Sequence, residues 1–549
     1  MTQLGGVPVL VLREGATRTR GRDALNSNIM ASKVIEESIK SSLGPMGMDK
    51  MLVSTFGDVV VTNDGATILK EIDVQHPAAK FIVELAKVQD QETGDGTTTV
   101  VIIAGELLRA AEELLGLDIH PTVITDGYRK AAEKALKILD EISKPVAYED
   151  DEMMKKVSMT ALASKMVAEN REYLTELALK AVKSVVEEKD GKLVVDIDDI
   201  KTEKKMGEGV EDTKLVSGVV LDKEWVHPRM SKKVVDAKIA LIDAALEVKK
   251  TEITAKINIT DPDQIKAFMD EEESMIKAMV DKVVETGANV LVCQKGIDDV
   301  AQHFLAKSGV AAVRRVKRSD MDKLSKATGG KIVNSVEELT AEDFGKAGVV
   351  EERKVGEEKM IFVEECANPK SVSLLIRGGT DLVVDEVQRG LHDALCVIRN
   401  VIQEGKVVSG GGAPEMELSR RIRRYADTLI GREQLAVRAF AEALEIVPRT
   451  LAENAGLDPT DITVELRAAH DEGKADWGVD VMNGKASDMT ALNVWEPVIV
   501  KKHAIKSANE AAVMILRIDD VIATKEIERG GGGVPGGEEE EGPMDMGMD

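Results

Sequence analysis

Residues Gly94-Asp95-Gly96-Thr97-Thr98-Thr99 set one carboxylate between two glycines and three hydroxyls directly ahead of a long apolar stretch, 100–115. That layout suits a phosphate and magnesium site. Glycines 94 and 96 let the backbone approach a ligand closely at positive φ, and a helix starting at the threonines aims unpaired amides and partial positive charge at it. Asp95 offers the hard oxygen that Mg²⁺ prefers, and such an ion commonly bridges substrate phosphates. A plain loop with a threonine N-cap would need only part of this run.

No GxxxxGK[ST] run occurs, which excludes a P-loop, so the remainder of the site must come from distant segments. The candidates are Leu43-Gly44-Pro45, Asp64 in VTNDG, Gly410-Gly411-Gly412 ahead of Ala413-Pro414, and Asp393 in LHDAL. Taken singly each has a structural reading: helix stop, hairpin turn, flexible loop, surface acid. Gly531, Gly533 and Gly536 formally satisfy GxGxxG, but no strand pattern precedes them and no helix pattern follows.

Several elements must position these residues. Apolar periodicity predicts helices over 26–43, 78–91, 98–115 and 123–142, a helix-rich block that ends near Pro145. Asn63-Asp64-Gly65 reads as a tight turn after the apolar run 59–61. A mixed stretch follows, with a helix over 170–188 and strands at 193–195 and 216–221. Beyond Trp225, strands at 289–293 and 311–316 alternate with helices at 298–307 and 321–328, which indicates an α/β unit with some parallel pairing. Thr260-Asp261-Pro262 starts a helix whose Ile265, Phe268, Met269, Ile276, Met279, Val280 and Val283 share one face. Long helices return at 415–430, 434–455 and 498–522. The tail, 530–549, is rich in glycine and glutamate and cannot bury enough apolar surface to order itself.

A chain of 549 residues should hold roughly three or four domains. Hydrophobic content of 43% with 31% charged residues is globular, and only 3% aromatics makes the cores aliphatic. The net charge of −25 argues against a nucleic-acid partner, and the local run Arg314, Arg315, Lys317, Arg318 does not reverse it. Cys293, Cys366 and Cys396 match neither a disulfide framework nor zinc spacing, which suits a reducing cytoplasm. No segment approaches the ~20 apolar residues that span a bilayer, and the N-terminus lacks an apolar signal core. The expectation is a cytoplasmic protein with no membrane contact.

In order along the chain, GPMGMDKML (44–52), DVVVTNDGATIL (58–69), GDGTTT (94–99), LHDAL (391–395), VSGGGAPE (408–415) and GREQLAVRAFAEALEIVPRTLAENAG (431–456) resemble the group II chaperonins. The resemblance covers nearly everything but the termini, and the methionine-containing tail is more similar to the archaeal thermosomes than to the eukaryotic cytosolic relatives. It implies a multidomain α and α/β chaperonin fold. A helical equatorial ATP-binding domain would comprise 1–149 and 404–529, and a small intermediate α/β domain 150–220 and 370–403. An apical α/β domain would span 221–369 with a helical protrusion at about 246–280, leaving 530–549 as a disordered tail.

Family roles fall on matching positions. Leu43, Gly44 and Pro45 would line the nucleotide, Gly96, Thr97, Thr98 and Thr99 would bind phosphates, and Asp95 would ligate Mg²⁺. Gly411 would pack by the ribose or base, with Asp480 and Glu496 completing that pocket, and Gly410 and Gly412 beside it would also bind the nucleotide. Lys165 would sense the γ-phosphate, although Ser164 precedes it where many relatives have glycine. Asp64 and Asp393 would be the catalytic carboxylates flanking the attacking water; a group of pKa ~4 is a poor base, so they should orient water and accept its proton late. The resemblance implies a Mg-dependent ATP hydrolase coupled to protein folding. Two stacked rings of about eight subunits, homo-oligomeric or shared with a paralogue, would capture unfolded proteins and close a built-in lid. A nucleotide-binding scaffold that forms rings without folding work is the alternative. A small-molecule kinase is disfavoured, since no acceptor pocket is legible.

Overall fold

The computed structural model describes residues 2–4, 7–9, 16–165, 170–248, 262–366 and 370–524. The tail 530–549 and the first part of the expected protrusion, 249–261, lie outside the described residues.

Scarce aromatics and abundant Val, Ile, Leu and Ala produce, among the described residues, three large aliphatic cores and a small fourth cluster of Val216, Val220, Met360, Phe362 and Leu375. The first is helical and draws on both ends of the chain: Arg22–Lys40, Pro77–Thr93, Thr97–Gly116 and Pro121–Ile142 pack with Ala413–Ala426, Glu433–Ala443, Ile446–Asn454, Pro459–Asp471 and Val498–Leu516. Helix Thr97–Gly116 lies at its centre. Val100, Val101, Ile102, Ile103 and Ala104 are buried in succession, because a helix apolar on every side has no face to give to water. The strands Ala16–Arg20 and Asp520–Thr524 close this unit as an antiparallel pair, Arg18 opposite Ile522.

A second core joins helices Asp151–Leu162, Arg171–Ser184 and Asp381–Glu404 to a three-stranded sheet. In that sheet Val372–Gly378 runs parallel to Ile200–Met206 and antiparallel to Lys214–Val216. The third core lies around a seven-stranded sheet in the middle of the chain. Its strand Lys233–Ile242 pairs antiparallel with Gly345–Val355 on one side and parallel with Val290–Cys293 on the other. Helix Pro262–Glu285 docks on this core through Ile276, Val280 and Val283, whereas Phe268, Met269 and Met275 nearer its start are exposed.

Local chemistry explains where the elements depart from the expected ones. The 434–455 stretch is two helices, Glu433–Ala443 and Ile446–Asn454, because Pro448 has no N–H for Leu444 and its ring crowds that carbonyl. The 170–188 helix stops at Ser184; Val186–Lys189 instead forms a hairpin with Lys192–Val195 about Asp190-Gly191, both at positive φ. The apolar run 216–221 serves two sheets, with Lys214–Val216 on Val372–Gly378 and Gly218–Leu221 on Glu358–Cys366. The 498–522 helix ends at Leu516.

Candidate functional site

Asn63-Asp64-Gly65 is not a hairpin turn. The hairpin turn lies earlier, between Lys50–Val53 and Val59–Thr62, and Asp64 is the N-cap of helix Gly65–Glu71. Its Oδ2 accepts from Thr67 N at 2.8 Å and Thr67 Oγ1 at 2.7 Å, and its Oδ1 accepts from Thr97 Oγ1 at 3.2 Å. Both carboxylate oxygens are therefore held, and the short helix abuts the start of Thr97–Gly116: a Cβ on Gly65 would lie 2.5 Å from Thr98 Oγ1. A third helix, Ala413–Ala426, begins at Gly412 nearby. Converging N-termini collect partial positive charge and free amides, which is what an anion needs.

The starts of Thr97–Gly116 and Ala413–Ala426 border a cavity of about 1010 Å³, through Gly96, Thr99 and Gly412. Leu43, Gly44, Pro45, Asp95, Gly96, Thr99, Gly411, Gly412, Asp480 and Glu496 line it, so ten of the expected residues from separate stretches of the chain share one cavity. Gly94 and Gly96, at φ 68° and 77°, make the bend that turns Asp95 into the cavity. The loop is pinned from behind: Asp95 carbonyl oxygen accepts from Gln89 Nε2 at 2.9 Å and Thr93 Oγ1 at 3.0 Å. Burial pushes Asp95 up, opposed by its bond from Gly96 N and the charges of Lys165 and Lys501.

Asp64, Asp393 and Lys165 sit together just behind this wall. Lys165 Nζ is 2.9 Å from Asp393 Oδ2 and 4.0 Å from Asp64 Oδ1. Asp393 comes from the middle of helix Asp381–Glu404 and Lys165 from the turn after Asp151–Leu162. Burial alone would lower the ammonium, yet Asp393 and then Asp64 hold it above its ordinary value. The two carboxylates part company. Burial would raise Asp64, but Lys165 and the bonds from Thr67 and Thr97 bring it below the usual range; at Asp393 burial wins over Lys165, aided by repulsion from Asp64 and Asp95.

Some expected residues do not face the cavity. Thr98 is buried against Gly65, and Gly410 is turned under Glu496 and Val494, its N–H donated to Val494 O at 2.9 Å. Asp480 lines the wall but spends its oxygens on its own turn, accepting from Met482 N, Asn483 N and Asn483 Nδ2 at 3.2, 3.1 and 2.8 Å. Burial opposes ionisation there, and those bonds outweigh it. Sequence reasoning missed Lys501, which reaches the cavity 2.7 Å from Glu496 Oε2 and 3.0 Å from Glu415 Oε1, and it missed Gln89. Neither stands in a run whose residue types mark a site: Gln89 acts by holding the nearby Thr93 and the backbone of Asp95, and Lys501 reaches Glu415 far back in the chain.

A family model described as the TCP-1/cpn60 chaperonin family matches residues 35–526. The chain belongs to that family. It is 59% identical to thermosome subunit beta of Archaeoglobus fulgidus over 538 residues, 98% of this chain and 99% of that protein. It is equally similar to thermosome subunit alpha of the same organism, 59% over 542 residues, with 98% and 99% covered. Among solved structures it resembles the open-state monomer of a group II chaperonin from Methanococcoides burtonii, with a TM-score of 0.60 and 46% identity, covering 77% of this chain and all of that one. This chaperonin is thus of the archaeal thermosome type, an ATP-dependent machine whose subunits form a ring chamber for protein folding. No described helix of the chaperonin is long and apolar enough to cross a membrane.

Proposed function

We propose that the cavity binds ATP with Mg²⁺, that Asp64 and Asp393 prepare the attacking water, and that hydrolysis closes the chamber over an unfolded protein. One observation carries this reading: Asp64 and Asp393, from distant stretches of chain, both lie within 4.0 Å of Lys165, whose neighbour Ser164 lines the cavity. Asp95 fits a hard divalent cation, because a buried carboxylate pushed up by desolvation gains from a nearby positive charge. The ion, when bound, neutralises charge that develops on the phosphates.

The chain's own groups do the positioning. The amides at the start of Thr97–Gly116 and Ala413–Ala426 receive phosphate oxygens, and Leu43, Gly44, Pro45 and Gly411 shape the rest of the pocket. Asp64, ionised and held at both oxygens, orients the water. Asp393, the carboxylate with raised proton affinity, takes the proton. Lys165 places its charge where the terminal phosphate would lie, so the loss of that phosphate weakens its hold. Since Asp393 and Lys165 belong to the second core and Asp64 to the first, chemistry and the approach of the two cores are one event.

The division of labour follows the cores. The helical unit built from 1–149 and 404–529 binds ATP, 150–220 with 370–403 is the lever, and 221–369 captures clients and carries the lid at about 246–280. We assign two stacked rings of about eight subunits, with or without a paralogue, in the cytoplasm. Free Cys293, Cys366 and Cys396 suit that compartment. Electron micrographs of the assembled protein with and without ATP test the reading: end-on rings should lose their central opening only with ATP. Rings identical in both conditions, or no rings, would contradict it.

A further inference from the structure

The segment that delivers Asp64 is gripped by the helix that delivers Asp393, through residues that do not line the cavity and to which the family resemblance gave no role. Thr62 ends the strand Val59–Thr62 and is fully buried. Its hydroxyl accepts the N–H of Asp64 at 3.1 Å and donates its one proton to Glu386 Oε2 at 3.2 Å. Glu386, on helix Asp381–Glu404 and 1% exposed, is itself fixed by Arg389, whose Nε donates to the same oxygen at 2.9 Å. Arg389 Nη2 also donates to Val61 O at 3.2 Å. Beyond Asp64, Asn63 Nδ2 donates to the carbonyl of Ser164, next to Lys165.

A hydroxyl has one proton, so the direction of this chain is set. Glu386 accepts only, which forces the Thr62 proton toward it and leaves a lone pair for Asp64 N–H. The backbone of Asp64 is thereby fixed from a helix 322 positions further along (64 to 386), and its carboxylate is fixed with it. We infer that Thr62 and Glu386 are positioning residues for hydrolysis: the Glu386–Thr62–Asp64 chain aligns Asp64 only when helix Asp381–Glu404 is seated against the first core. This rests on Asp64 being a hydrolytic residue, as proposed above. It makes the helix a reporter of its own docking, because the contact that seats it also completes the site. Glu386 Oε1 has no partner, so all of its hydrogen bonding runs through the oxygen that holds Thr62.

Steady-state ATPase on the full assembly tests this, with Thr62→Val, Thr62→Ser, Glu386→Ala, the double variant T62V/E386A and Asp64→Ala. Valine keeps the shape of threonine but has neither proton nor lone pair. It should lower kcat about tenfold and leave the KM for ATP within about threefold, since a small misplacement costs turnover rather than binding. Serine should restore most of the rate. The double variant should be no worse than the poorer single variant, because both break one chain. The inference is overturned if T62V turns over within twofold of wild type, if KM rises while kcat holds, or if the two losses multiply. Loss of turnover in D64A beside a normal T62V overturns the inference alone; a D64A protein that still hydrolyses ATP overturns the reading beneath it as well.

Discussion

Replacing Glu36 by glutamine should stabilise the helical core, and by more at pH 8 than at pH 5. Glu36 has no exposed surface, its Oε1 has no partner, and its Oε2 lies 3.4 Å from Arg109 Nη2. Burial pushes the acid up to about 7 from 4.5, against the pull of Arg109. A gap of that size corresponds to about 3 kcal/mol between fully protonated and fully ionised limits. The folded state binds this proton more tightly than the unfolded chain does. Its contribution is therefore complete below pH 4.5 and is lost as the pH rises through 7. Glutamine keeps the neutral shape at every pH, so the advantage of E36Q should grow from under about 1 kcal/mol at pH 5 to about 2 to 3 kcal/mol at pH 8. A multidomain ring does not unfold in two states, so the assay is amide hydrogen exchange in helices Arg22–Lys40 and Thr97–Gly116, variant against wild type at each pH. An advantage equal at both pH values, or a less protected variant at pH 8, would show that ionisation of Glu36 does not destabilise the core.

Three further outcomes are expected. Lys165→Met should lower kcat about a hundredfold, the usual loss when one preorganised charge leaves a site, and Lys165→Arg should recover only part of it because the 2.9 Å contact suits a compact ammonium. Gly411→Ala should raise the KM for ATP about tenfold: the residue sits at φ 64° and a Cβ there would lie 2.5 Å from Met489 Sδ, so the cavity wall must shift. Deleting 250–273 should leave ATP turnover near wild type and abolish protection of an enclosed client from protease; loss of both together would place that stretch in the core.

The chemistry was more legible than its supports. GDGTTT announced itself because glycine, carboxylate and hydroxyls adjoin in sequence, and the same run forms the cavity wall at Asp95, Gly96 and Thr99. Helices such as Pro121–Ile142 were readable because one face meets a core and the other meets water. Apolar spacing alone carries a helix over 434–455 straight through Pro448, because it does not register a missing N–H. Asp64 was assigned to a turn because Asn-Asp-Gly serves turns and helix caps alike, and only the bond from Thr67 N decides between them. Gln89, Lys501 and Glu386 lie outside every motif, and Thr62 and Glu415 lie inside one with no role of their own to read. Thr62 and Glu386, 324 residues apart, and Lys501 and Glu415 meet only through folding, and a single sequence does not reveal such pairs.

In the function proposed above, hydrolysis depends on a carboxylate supplied by the second core and not by the nucleotide pocket itself. Asp393→Ala tests it most directly, with ATP affinity from calorimetry and turnover from phosphate release on the same preparation. Affinity should stay within a few-fold of wild type while turnover falls by about a hundredfold or more. Turnover near the wild-type rate, or ATP binding lost together with turnover, would show that Asp393 does not serve the hydrolytic step.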